Sequence, residues 1–137
     1  MTLSLVSERF AVAPQLRPED LPALAKAGFR TLICNRPDGE ENGQPEATEM
    51  AVAAEAAGMA FHHIPVSGGE FPVAAIEAFG RVRSEAEGKV LAYCRTGTRS
   101  ITLDALANCD RLEGDALIER AREAGYDLSA LRPRLGK

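Results

Sequence analysis

The chain has 137 residues, 45% of them apolar and 26% charged, with a formal net charge of −4; that suffices for one hydrophobic core and is too short for two ordinary domains. A mildly acidic chain without a basic block argues against nucleic acid or membrane surfaces as partners, and no stretch approaches the ~20 apolar residues of a membrane span. Met1 to Leu5 lack the charged lead and apolar run of a signal peptide, so the expected location is the cytoplasm, where three scattered cysteines, Cys34, Cys94 and Cys109, suit a chemically used thiol better than a disulfide scaffold.

In chain order, Leu3 to Val6 and Ser7 to Val12 read as an N-terminal hairpin. Pro18 pre-sets a first helical turn, with Glu19 and Asp20 at its positive end. Leu21, Leu24 and Ala25 then form a helical stripe that Gly28 ends. Arg30 to Cys34 reads as a buried strand, followed by a polar loop from Asn35 to Gln44. Ala47, Met50, Ala51 and Ala54 give the next helical face, and Gly58 stops it. Met59 to Val66 is a strand. Ser67-Gly68-Gly69 turns into a helix from about Pro72, with Val73, Ile76, Phe79 and Val82 on its inner side. Lys89 to Tyr93 is a short apolar strand running straight into Cys94. Helices follow from about Arg99, with Cys109 late in the first of them, from about Gly114, and near Leu128. Alternating strands and helices predict a single α/β domain, 1–137, with a central, mostly parallel sheet of about five strands flanked by helices. Open sheets of this kind bind ligands at the carboxyl ends of their strands, where both Cys94 and the Asn35-Arg36 pair fall.

The segment Tyr93-Cys94-Arg95-Thr96-Gly97-Thr98-Arg99-Ser100 carries the chemistry. A sharp bend after the strand and a helix starting near Arg99 would gather successive backbone N–H groups at the positive end of a helix dipole, forming an anion nest. Gly97 permits the backbone angles that such a bend needs. Those donors and Arg99 would stabilise a Cys94 thiolate. Arg99 can also hold two oxygens of an anion, and the Ser100 hydroxyl could donate to the sulfur. Thr96 and Thr98 supply backbone donors. Arg95 either steers substrate at the rim or is a solvated charge.

Strand–Cys-x-x-Gly-x-Arg-Ser–helix resembles the active-site loop of rhodanese sulfurtransferases, and it is one residue shorter than the corresponding loop of protein tyrosine and dual-specificity phosphatases. The stretches Thr31 to Glu40, His63 to Val66, Tyr93 to Ser100 and Ala124 to Leu128 resemble the phosphatase-like domain of beta-lactamase hydrolase-like proteins. That resemblance implies a dual-specificity-phosphatase-like fold and a link to sulfur transfer, in a domain found alone or joined to persulfide dioxygenase-like domains. Its position 104 usually holds a large apolar residue, so Asp104 is a departure, either facing solvent or pairing with a nearby arginine.

Loop length separates sulfur from phosphorus chemistry. Phosphoryl transfer needs a cradle for three equatorial oxygens with the nucleophile in line, and a ring of N–H groups one residue shorter better suits a single terminal sulfur. Phosphatases also need a general acid for the leaving oxygen. In that superfamily an aspartate on a neighbouring loop serves, but here Ser67 to Pro72 contains none. Glu70 and Asp38 are weak candidates. The expected function is therefore transfer of sulfane sulfur from thiosulfate or a small persulfide, through a Cys94 persulfide, to a thiol acceptor. A phosphatase working through a Cys94 phosphocysteine is the alternative. A non-catalytic anion or persulfide sensor is the third reading. Partners would be that small substrate and a persulfide dioxygenase-like enzyme. No cofactor is required, and adjacent His62 and His63 point to opposite faces of a strand, so no metal is expected. Arg36 either faces the anion site or pairs with the acidic loop after it. Cys34 is either a buried strand cysteine or a redox partner able to form a disulfide with Cys94.

Overall fold

The computed structural model describes residues 2–135; the first and the last two residues of the chain lie outside them. Its sheet is built from β1 (Ser4–Ser7), β2 (Phe10–Ala13), β3 (Phe29–Cys34), β4 (Ala60–His63) and β5 (Lys89–Tyr93), in the spatial order β1-β2-β5-β3-β4. Only the β1–β2 pair is antiparallel. The helices are α1 (Leu21–Lys26), α2 (Ala47–Ala56), α3 (Val73–Glu85), α4 (Thr98–Ala107) and α5 (Gly114–Glu123), with short 3-10 segments at Pro18–Asp20 and Ser129–Arg134. None of the described helices is long and apolar enough to cross a membrane.

Side chains alternate across the sheet with the period of two that extended backbone imposes. Phe10 and Val12 of β2, Ile33 of β3, and Val90 and Ala92 of β5 join Phe79, Ile101, Leu103 and Leu117 in one apolar layer under α3, α4 and α5. Ala11, Ala13, Leu32, Leu91 and Tyr93 point the other way and pack with Leu21, Leu24 and Met50 of α1 and α2. Covering both faces explains why β2 and the Val90 to Tyr93 part of β5 read as continuous apolar runs.

Four details differ from the sequence reading. The hairpin turns at Glu8-Arg9, so β2 starts at Phe10 rather than Ser7, placing Phe10 and Val12 in the core. β4 is shorter than Met59 to Val66, because the regular register with β3 ends at His63; past it, Ile64 N–H donates to Cys34 O (2.9 Å) and Val66 N–H to Asn35 O (3.2 Å). Cys109 lies past α4 rather than within it, because Asn108 takes a left-handed conformation (φ 47°) that ends the helix. The segment beyond Leu128 is a 3-10 turn containing Pro133.

The topology centres the site. β5 lies between β2 and β3, and its extension is held by Cys94 N–H to Ala13 O (3.4 Å) and by Asn35 N–H to Tyr93 O (2.8 Å). Cys94 thus leaves the middle of the sheet's carboxyl edge.

Asp104 does not face solvent. Its carboxylate is buried and accepts from Arg83 Nε (2.7 Å) and Arg120 Nη2 (3.4 Å), while both arginines also donate to Asp110 (2.9 Å each). Arg83 stacks over the Phe10 ring at 4.5 Å. The cluster ties α3, α4 and α5 together behind the site helix.

Candidate active site

The bend expected after Tyr93 is present. Gly97 sits at φ 97°, a left-handed conformation, and α4 begins one residue later at Thr98. Cys94 is almost fully buried, and its sulfur accepts the Gly97 backbone N–H at 3.1 Å. The strand positions this sulfur, the glycine turns the amide back onto it, and the helix N-terminus faces it.

Arg99 extends from the first turn of α4. Nη1 donates to Glu40 Oε2 and to Val66 O, and Nη2 donates to Glu40 Oε1, all at 2.9 Å. Three of the five guanidinium hydrogens are thereby committed, which leaves the Nε–H and one Nη2–H. Glu40 foremost, and Cys94 after it, push the guanidinium further up from its ordinary value. Arg99 is therefore held from behind by a carboxylate while keeping an edge for an anion at the sulfur.

Arg36 turns its guanidinium to the acidic loop. It is 1% exposed, with Nε on Glu40 Oε1 (2.8 Å), Nη1 on Gln15 Oε1 (3.0 Å) and Nη2 on Glu41 Oε1 (3.1 Å). Its ion-pair partners are Glu40 and Glu41 of that loop. Arg36 fixes Glu40, and Glu40 fixes Arg99. His63 Nε2 and Cys34 Sγ also meet the Arg36 carbonyl oxygen, at 2.9 and 3.4 Å.

Glu40 is the charged residue of this site that sequence reasoning missed; its only signal was membership of the acidic loop. Its bonds to Arg99, and after them those to Arg36, hold its carboxyl at about 2 against an ordinary 4.5. A depressed carboxyl stabilises the fold above its unfolded value and loses that contribution as pH falls toward the folded one. Thermal stability should therefore decline as pH drops from about 4.5 toward 2, and Glu40→Gln should flatten that part of the profile. Parallel curves for the two proteins would contradict the pairing.

Ser100 is buried, and its hydroxyl donates to Asn35 Oδ1 at 2.8 Å rather than to the Cys94 sulfur. Asn35 Nδ2 donates in turn to Ile64 O at 2.8 Å. The serine therefore ties α4 to the ends of β3 and β4. Thr96 and Thr98 are exposed and bonded to each other through their hydroxyls at 3.0 Å, and Arg95 is exposed at the rim. Arg36, Glu40, Glu41, Gly68, Arg95 and Arg99 line the open depression over the site.

Asp38 Oδ1 accepts the Ala47 N–H at 2.8 Å, capping α2. Glu70 is exposed in the turn after β4, with its backbone N–H on Ser67 O. Cys34 is a free thiol opposite Tyr93 on the α1–α2 face, and burial pushes it up. This arrangement fits the buried strand cysteine.

A sequence profile of the family described as "Beta-lactamase hydrolase-like protein, phosphatase-like domain" matches residues 2–110. The chain belongs to that family. It is 42% identical over 127 residues to the beta-lactamase hydrolase-like protein of Agrobacterium fabrum, covering 91% of this chain and 30% of that protein. The phosphatase-like domain thus spans about a third or less of the curated relatives it matches. Among solved structures it is similar to a phosphatase-like protein of Neisseria meningitidis, at 38% identity and a TM-score of 0.85, covering 98% of this chain and 96% of that one. Kinase associated phosphatase, 16% identical, shares the fold with a TM-score of 0.71, covering 91% and 84% of the two chains. The domain has a cysteine-phosphatase fold.

Proposed function

We propose that this domain is a cysteine-nucleophile enzyme that transfers sulfane sulfur. The observation that carries the reading is the tight loop from Cys94 to Arg99, which folds the Gly97 N–H directly onto the sulfur, while Asp38 is engaged at the start of α2 and Glu40 is paired with Arg99 and held ionised. The Cys94 thiolate attacks the outer sulfur of thiosulfate. A Cys94 S–S bond forms, the donor S–S bond breaks, and sulfite leaves with the electron pair. Arg99 steadies the departing anion through its uncommitted edge. A thiolate acceptor then attacks the outer sulfur and releases Cys94 as thiolate. Sulfite and thiolates are stable anions that need no proton from the enzyme, so the capped Asp38 and the exposed Glu70 are no obstacle.

The fold and the Neisseria relative support a second reading, hydrolysis of phosphate monoesters through a Cys94 phosphocysteine. One set of assays separates them. Intact mass after thiosulfate treatment should show one added sulfur, which cyanide removes as thiocyanate, with little aryl phosphate turnover. Aryl phosphate turnover without sulfur loading would establish the hydrolase instead. Anion-dependent thermal stabilisation with neither activity would point to the sensor. A persulfide dioxygenase-like enzyme is the partner this chemistry would serve, and the cytoplasm is the compartment that keeps its thiol reduced.

A further inference from the structure

Tyr126 lies on the segment after α5, more than thirty positions from the nucleophile, and neither the resemblance nor the mechanism above gives it work. Its hydroxyl donates to Thr96 O at 2.8 Å. Thr96 C=O and Gly97 N–H belong to one peptide unit, and in a planar trans peptide they point in opposite directions. The Gly97 N–H is the donor that meets the Cys94 sulfur at 3.1 Å. The atoms therefore run in series: Tyr126 O–H to Thr96 O, through the peptide bond, and Gly97 N–H to Cys94 Sγ.

The approach is close enough to be selective. A Cβ added at residue 97 would fall 2.2 Å from the Tyr126 hydroxyl oxygen, so the phenol occupies the space that only glycine leaves free. The tyrosine is half-buried, and burial foremost, with the Cys94 charge after it, pushes its phenol up, so it stays a donor at neutral pH.

We propose that Tyr126 is a positioning residue that sets the nucleophilicity of Cys94 by orienting and polarising the Thr96–Gly97 peptide. A hydrogen bond to the carbonyl draws electron density toward oxygen and leaves the amide hydrogen more positive, strengthening the bond to a sulfur anion by ~10–30%. It also keeps the peptide plane from rotating that N–H away from the sulfur. The inference rests on Cys94 being the nucleophile and holds equally for sulfur or phosphoryl transfer.

The test is Tyr126→Phe, which keeps the ring beside the loop and removes only the donor. The rate of Cys94 alkylation by iodoacetamide is followed against pH by peptide mapping. Arg99 from α4, Glu40 and Arg36 after β3, Arg95 at the rim and the Cys34 thiol of β3 surround the same site and are identical in both proteins. The midpoint of the rate profile should move to higher pH, lowering the rate at pH 7 about two- to threefold. A midpoint that stays in place overturns the proposal, whatever happens to the plateau, because a merely structural tyrosine changes access without changing ionisation. A parent protein whose Cys94 does not alkylate at all would instead sink the nucleophile reading itself.

Discussion

Cys94→Ser should leave the fold standing and reduce sulfur loading from thiosulfate to background, a loss of at least about a thousandfold. An unactivated hydroxyl is far from ionised at neutral pH and does not form a stable persulfide. The fold should survive because serine is close in size and can accept the Gly97 N–H as the sulfur does. All that is lost is a polarisable nucleophile at the mouth of the cradle. Thermal unfolding and intact mass, recorded on the same preparation, check both halves. Persistent loading in the variant would move the chemistry to Cys34 or Cys109.

The second large effect concerns stability. Asp104 and Arg83 face each other with side chains only 3% and 6% exposed. Removing one partner of a buried pair strands the other charge, at a cost of about 3–5 kcal/mol. Asp110 still reaches Arg83 at 2.9 Å, so Asp104→Ala should fall at the low end, about 3 kcal/mol, a drop of about 10 °C in Tm. Asp104→Leu combined with Arg83→Met should recover most of that loss, since well-packed apolar side chains often replace a buried pair at no net cost. Urea unfolding of the double-mutant cycle measures the coupling. A drop below about 0.5 kcal/mol in Asp104→Ala would mean the cluster holds nothing together.

Particular residues show what was legible in the chain. The apolar run Lys89 to Tyr93, ending on a cysteine and followed by Gly97 and Arg99, announced strand, bend and helix because each residue obeys a local rule. Gly97 takes the positive φ, and the helix starts within one residue of the place expected. The mostly parallel sheet of about five strands followed from the alternation of strand and helix patterns along the chain. What escaped were relations between distant segments. Glu40 looks like any solvated acid until β3 and α4 bring it between Arg36 and Arg99. Asn35 looks like a loop residue until its side chain bridges Ser100 and Ile64 O. Ser100, expected at the sulfur, turned to Asn35, because a buried hydroxyl takes the nearest acceptor with good geometry. Asp104 could be read as pairing with an arginine, but not as meeting both Arg83 and Arg120 from two flanking helices. Pairings of this kind depend on tertiary placement and leave no local periodicity.

The most direct measurement is competitive labelling. Cys109 is partly exposed, whereas Cys94 is 1% and Cys34 3% exposed, so solvent access alone would put Cys109 first. Treated at pH 7 with less than one equivalent of iodoacetamide and mapped by peptide mass, the protein should carry its label on Cys94, the one of the three whose sulfur accepts a backbone N–H at a helix N-terminus. Label on Cys109, with Cys94 untouched, would contradict the account.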